Sequence, residues 1–247
     1  MNVGFFSSGI AGQMSQNKLD SLSHSLANVN TDGYLEDRTA FSSQFSNKLG
    51  RDGLPDKTSA AFLSLNKQYT STQPGAIRLT GNELDFAIQG NGYFRVQLAD
   101  GSEALTRAGN FKLGTDGTLL TQGNLPVLDN GGSPITLPVG EISATKNGTI
   151  YVNDQPVSDL GIASIIDPRQ IKKLEGVLIQ TPEENIGETE TNVAVHNGSL
   201  EGSNVNSILA MAELVETMRG FESMMKVVEQ YNQQAGLLND RVGVVQG

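Results

Sequence analysis

The chain has 247 residues, 37% of them hydrophobic and 18% charged, and its 27 acidic against 17 basic side chains give a formal charge of -10. This apolar content is enough for a folded core, its apolar runs are too short to span a bilayer, and an acidic balance argues against a surface built to neutralise phosphates, hence against nucleic-acid binding. With no cysteine and only two histidines, the distant His24 and His196, disulfides, thiol chemistry and an ordinary zinc site are excluded.

At the N-terminus, Met1-Asn2-Val3-Gly4-Phe5-Phe6 lacks both a basic n-region and a continuous apolar h-region, so no cleaved Sec signal is expected. Leu19, Leu22, Leu26 and Val29 recur at steps of three and four, and the same stripe runs back through Ser15, Gly12 and Ser8 to Phe5. This pattern predicts a helix with one narrow seam. It should stop near Asn30, because Asn28-Val29-Asn30-Thr31-Asp32-Gly33-Tyr34 supplies residues that tolerate a left-handed conformation. From Phe41 to Pro74 the composition turns to Ser, Thr, Gln, Asn and Lys without periodicity, which reads as an extended connector.

The middle of the chain alternates short apolar runs with turn signals at Asp100-Gly101, Asp116-Gly117, Asn130-Gly131-Gly132, Asn147-Gly148 and Asn153-Asp154. Strands are predicted at 86–88, 93–98, 118–121, 142–144, 149–152 and 160–166, a spacing that suggests a sandwich or barrel. Gly90 and Gly92 read as turn glycines, since no phosphate-loop pattern follows them.

Methionines occur only near the two ends of the chain. Toward the C-terminus, Ile208, Met211, Val215, Met218, Phe221, Met225, Val228, Tyr231, Ala235, Leu238, Val242 and Val245 keep an interval of three or four without a proline. They predict one long helix, capped by Ser203 or Asn204, with Asn206 and Ser207 as later alternatives. Leu209, Leu214, Met224, Val227 and Leu237 lie off this seam, and a second apolar face implies a second neighbour. The expected fold class is α+β: long N- and C-terminal helices pairing as a coiled-coil-like core, with an inserted all-β domain and an extended connector. The corresponding boundaries are 1–35, 36–80, 81–198 and 199–247. The N-terminal helix is too short to cover the C-terminal one, so Leu19, Leu22, Leu26, Val29, Ile208, Met211, Val215, Met218, Phe221, Met225 and Val228 are expected to form an interface with other subunits. Methionine suits such contacts because its flexible side chain adapts to non-identical neighbours.

Three blocks resemble the flagellar basal-body rod and hook family. Ser25 to Tyr34 is similar to its Ala-Asn-x-x-Thr-x-Gly-aromatic signature, carried here by Asn28, Thr31, Gly33 and Tyr34. Leu84 to Phe94, with Gly90 and Gly92, followed by Thr106-Arg107-Ala108-Gly109-Asn110-Phe111, is similar to the start of its β domain; Leu105 replaces the tyrosine common before Thr-Arg. Leu200-Glu201-Gly202-Ser203-Asn204-Val205-Asn206 resembles the opening of its last helix. The resemblance implies a non-enzymatic axial protein without cofactor, a rod component rather than the longer hook protein. Proximal rod is the first reading and distal rod the alternative. It further implies assembly with copies of itself and other rod proteins, export by the flagellar type III apparatus and a place in the periplasmic rod, without nucleic-acid partners or membrane insertion.

Other chemistry finds less support. Glu213, Glu216 and Glu222 read as a solvated helix face rather than paired catalytic carboxylates. Neither histidine accompanies a Gly-x-Ser-x-Gly elbow, and Asn147-Gly148-Thr149 and Asn197-Gly198-Ser199 match a glycosylation pattern by composition alone. A secreted β-rich adhesin would explain the middle but not the long terminal helices, and a peptidoglycan-cleaving enzyme lacks an acid-base constellation.

Overall fold

The computed structural model describes residues 3–45, 61–174, 176–187 and 193–243, and places side chains for all of these except 3–8, 10, 40–45, 61–68 and 234–243. The expected seam positions Phe5, Ser8, Ala235, Leu238 and Val242, and the off-seam Leu237, fall among those side chains; Val245 lies outside the described residues. The chain divides into two units, one made of Met1–Leu26, Asp37–Gln68 and Ser207–Gly247, the other of Ala27–Glu36 and Tyr69–Asn206.

The first unit contains helix α1 (Val3–Ala27), the paired strands β1 (Asp37–Phe45) and β2 (Ala61–Thr70), and helix α2 (Ser207–Gly243). The stretch expected to be an extended connector thus contains a strand pair. In α1 the buried side chains are Met14, Ser21, Leu22 and Ser25, while Leu19 and Leu26 are half-buried. The inward face is therefore turned by about one position from the expected seam, some 100° on a helix. Small hydroxyls occupy it, and Ser21 Oγ donates to the Asp37 carbonyl at 3.0 Å.

In α2 the expected seam does not turn inward as a whole, and the off-seam Leu209 and Val227 are exposed. Ala210 is buried and Leu214, Phe221, Met224 and Val228 are half-buried, whereas Ile208 is 80% exposed and Met211, Val215, Met218 and Met225 about half exposed. Lys18 Nζ lies 3.8 Å from a Glu213 carboxylate oxygen, and Ser15 Oγ contacts Met224 Sδ at 3.9 Å. Positions 15 and 18 span about 4.5 Å of helix and positions 213 and 224 about 16.5 Å. Helices aligned as a coiled coil would match equal lengths. The expected coiled-coil-like core is therefore overturned: the fold is mostly antiparallel β, with seventeen strands and two α-helices among the described residues. No helix among those residues is long and apolar enough to cross a membrane.

The second unit carries β3 (Ile77–Leu79), β4 (Phe86–Gln89), β5 (Tyr93–Gln97), β6 (Glu103–Thr106), β7 (Lys112–Leu113), β8 (Leu119–Leu120), β9 (Ile142–Ala144), β10 (Thr149–Val152), β11 (Gln155–Asp159), β12 (Ile162–Ile165), β13 (Lys172–Lys173), β14 (Leu178–Gln180), β15 (Ile186–Gly187), β16 (Ala194–Asn197) and β17 (Ser199–Glu201). Six of them form one sheet in the order β13-β14-β6-β5-β12-β15. Successive side chains of a strand point to opposite faces. In β5, Phe94 and Val96 enter one core with Phe111, Leu119, Ile135, Ile150 and Leu160, while Tyr93 enters a second with Leu35, Leu105, Ala163 and Ile179. Beyond Tyr93 the strand alternates, with Phe94 and Val96 buried and Arg95 and Gln97 half-buried. Phe111 packs edge-on to Phe94 at 5.1 Å between ring centroids.

The chain is turned where the composition demands it. Asn153 and Asp154 both adopt positive φ, 51° and 60°, and close β10 onto β11 as a two-residue hairpin.

Candidate functional site

The backbone passes between the two units four times, after Leu26, Glu36, Gln68 and Asn206. Within the second unit, the segments that carry these crossings are fastened to one another. The first is the turn after α1. Thr31 donates from its backbone N–H to the Asn28 carbonyl and from Oγ1 to Asn28 Oδ1, both at 3.1 Å, and the Tyr34 N–H reaches the Thr31 carbonyl at 3.3 Å. Gly33 has φ +69°, and its N–H donates to the Glu201 carbonyl at 2.8 Å.

Asn204 binds the outgoing segment to the other two. Its N–H donates to the Tyr34 carbonyl at 3.2 Å, and its Oδ1 accepts the Glu36 N–H at 2.7 Å. Its amide nitrogen donates to the Ser71 and Gln73 carbonyls at 3.2 and 2.8 Å. Only Asn or Gln offers two donors and an acceptor on one planar group, and only Asn is short enough to do so beside its own backbone. The Ser71 N–H in turn reaches the Glu36 carbonyl at 2.8 Å. Strand β3 then pairs antiparallel with β17, Leu200 opposite Arg78, and the Gly202 N–H donates to the Ala76 carbonyl at 2.9 Å. Gly75 lies so near that a Cβ added to it would stand 2.0 Å from the Gly202 carbonyl oxygen.

Beneath this clasp lies a buried ion pair. Arg107 Nη1 donates to Glu201 Oε2 at 3.1 Å with both side chains 1% exposed, and Arg107 Nη2 donates to the Gly90 carbonyl at 2.8 Å. The other oxygen of Glu201 accepts the Gly75 N–H at 2.8 Å. The guanidinium stands 4.6 Å from the centroid of the Tyr93 ring, and its Nε has no hydrogen-bond acceptor. Burial pushes the Tyr93 phenol above its ordinary pKa, against the opposing pull of Arg107, so the phenol stays neutral and Glu201 is the counter-ion. At the rim, Lys173 Nζ donates to the Leu35 carbonyl at 2.6 Å and lies 3.7 Å over the Tyr34 ring, and Arg78 grips Asp32 through two contacts of 2.9 and 3.1 Å.

The Glu201 carboxylate is spent on Arg107 and Gly75 and shielded from water, so it can neither deliver nor accept a proton for a substrate. What the arrangement does is hold three chain segments in one register.

The structure brings Asn28, Thr31, Gly33, Tyr34, Gly90, Gly202 and Asn204 to this clasp. Gly92 stands apart: it is buried, and an added Cβ would meet side-chain methyls of Ile162, Ile88 and Val193 at 2.9–3.2 Å. Gly90 does take a left-handed φ, +107°, as a turn glycine would. Of the expected assembly residues, Val29 lies in the turn of the second unit and the others on α1 and α2. Sequence reasoning missed Arg107, Glu201, Gly75 and Lys173. The signal for the pair was present: Arg107 is the lone charge in Ala104-Leu105-Thr106-Arg107-Ala108-Gly109, and a single charge inside an apolar run demands a partner.

Residues 87–155 match the family described as flagellar hook protein FlgE/F/G D1 domain, and residues 196–241 the one described as flagellar basal body rod FlgEFG protein C-terminal. The flagellar basal-body rod protein FlgF of Rhizobium meliloti is 34% identical over 221 residues, covering 87% of this chain and 88% of that protein. FlgF of Caulobacter vibrioides is 29% identical over 96% of this chain and 97% of its own length. FlgG of Bacillus subtilis is 30% identical over 90% and 92%. These relatives are structural rod proteins, not enzymes. With a relative above 30% identity along nearly its whole length, and with the motif residues of three distant blocks meeting in one clasp, the chain belongs to the flagellar basal-body rod protein family.

Proposed function

We propose that this chain is a structural subunit of the rod, exported by the flagellar type III apparatus and built into a helical assembly that carries torque through the periplasm. The observation that carries the reading is the outer face of α2, where Met211, Val215, Met218 and Met225 repeat along one side of the helix and stay about half exposed. A continuous apolar stripe on a helix is a surface awaiting a partner. A repeated head-to-tail contact through such a face builds an open helical array rather than a closed dimer. The clasp suits the same role, because hydrogen bonds within the second unit tie together the segments that anchor the four backbone connections between the units. The two terminal helices bury few large side chains among the described residues, which suits a chain that travels unfolded through a narrow channel. The FlgF relatives, at up to 34% identity against 30% for FlgG of Bacillus subtilis, favour the proximal rod.

Met218→Asp tests this reading. A carboxylate on the stripe costs little in the free chain, where the site is 45% exposed, but must be desolvated once a neighbour covers it. The expected result is loss of basal-body incorporation and of motility, with the melting of the β unit unchanged. Wild-type incorporation of the variant would remove the support for the reading.

A further inference from the structure

The chain contains four Asn-Gly pairs, at Asn91-Gly92, Asn130-Gly131, Asn147-Gly148 and Asn197-Gly198. Such pairs share one chemistry. The glycine amide nitrogen, having lost its proton, attacks the asparagine side-chain carbonyl carbon; a C–N bond forms, ammonia leaves, and a five-membered succinimide results. Water then opens the ring at either carbonyl, giving aspartate or isoaspartate, the latter with the backbone rerouted through the side chain. No oxidant or cofactor takes part. The reaction needs an exposed asparagine and a glycine N–H that is free to turn toward it.

The structure separates the four. The Gly148 N–H is bound to the Thr145 carbonyl at 3.0 Å, and the Gly198 N–H to the Asp85 carbonyl at 2.8 Å. Asn197 is further held through its amide nitrogen, which donates to the Glu83 carbonyl at 2.8 Å. Gly92 is buried and wedged against Ile162, Ile88 and Val193, so its peptide cannot rotate without moving the core. Asn130 and Gly131 are both exposed, and the Gly131 N–H meets no acceptor among the described residues. The other bonds of this loop do not use that N–H: the Asp129 N–H donates to the Ser133 carbonyl, the Asp129 carbonyl accepts the Gly132 N–H, and the Asp129 carboxylate accepts the Ser133 N–H at 2.8 Å. That leaves the Gly131 N–H without an acceptor among the described residues, beside an Asn130 side chain held only through the 3.4 Å contact of its oxygen with the Ile162 N–H.

We propose that Asn130 is a site of spontaneous deamidation and isoaspartate formation in the folded protein, and the only one of the four pairs that reacts readily. The change has a structural consequence. The Asn130 carbonyl accepts from Arg95 Nη1 at 3.2 Å and its side-chain oxygen accepts the Ile162 N–H at 3.4 Å, so an isoaspartyl link lengthens the backbone where the loop braces β5 and β12.

The test is to incubate the folded full-length protein in mildly alkaline buffer and follow each pair by peptide mass spectrometry, with enzymatic isoaspartyl methylation as a second readout. Conversion at Asn130 should run at least about tenfold faster than at Asn147 or Asn197, the factor that opening one ordinary amide hydrogen bond represents. Conversion at Asn91 should also lag. In unfolded protein the four rates should converge, and Asn130→Gln should remove the methyl-accepting product while leaving the other peptides unchanged. Equal or faster conversion at any other pair in the folded protein overturns the proposal, as does an Asn130 that stays intact in the fold while reacting in the unfolded chain.

Discussion

Glu201→Ala is expected to destabilise the β unit by about 3–5 kcal/mol, the usual consequence of removing one member of a buried ion pair. Arg107 would keep its charge at 1% exposure with only the Gly90 carbonyl and the Tyr93 ring for company. The loss should not be additive. In the double variant Arg107→Met, Glu201→Leu no charge is left behind, and apolar replacements of similar volume are often neutral or better. Two costs remain, because the Gly75 N–H loses its acceptor and the Gly90 carbonyl its donor, at about 1–3 kcal/mol each. Urea unfolding of the three proteins, followed by far-ultraviolet circular dichroism, should therefore place the double variant above the Glu201 single. A double variant as unstable as the sum of its singles would mean that the pair itself holds the clasp together.

Gly33→Ala should be of similar size for a different reason. At φ +69° any L side chain pays about 1–2 kcal/mol for the left-handed conformation. The added Cβ would also stand 2.2 Å from the Ala108 backbone nitrogen, which cannot move without disturbing the segment after β6. Gly81 supplies the control: its φ is +76°, but an added Cβ meets nothing within 4 Å. Gly81→Ala should therefore cost only the backbone part, about 1–2 kcal/mol, and Gly33→Ala more than about 3. Equal losses, read as shifts in urea midpoint, would show that the turn does not rest on the Arg107-Ala108 backbone.

Much of the β unit was legible in the chain. The strands at 142–144 and 149–152 fall where the alternation puts them, because Asn147-Gly148 and Asn153-Asp154 are local turns whose conformation is written in two residues. Strands β16 and β17 escaped because their partners lie far away in sequence, β16 pairing with β4 and β17 with β3. Nothing near Ser199 announces Leu79. The helices were legible as helices, since both show sustained periodicity, but not in which face turns inward. On α2 the large side chains of Met211, Val215 and Met218 suggested the inner seam, whereas the close approach is made by Ala210 and half-buried Leu214 and Met224. Hydrophobicity alone cannot tell a face that packs within the chain from one that packs against a neighbour. The motif residues were legible as a set but not in their roles. Asn204 sits in a recognisable block, yet its four bonds run to residues 34, 36, 71 and 73, which only the fold brings together.

The most direct measurement uses the absence of cysteine from the natural chain. Met218→Cys places a single thiol on the outer stripe of α2, and a maleimide reagent then reports whether that stripe is open. If the stripe is completed by neighbouring subunits, Cys at this position reacts readily in the purified monomer and is shielded in isolated basal bodies, with full reactivity restored on dissociation in denaturant. Labelling at the same rate in the monomer and in intact basal bodies would contradict it, because the face would then be open in the assembly it is held to build.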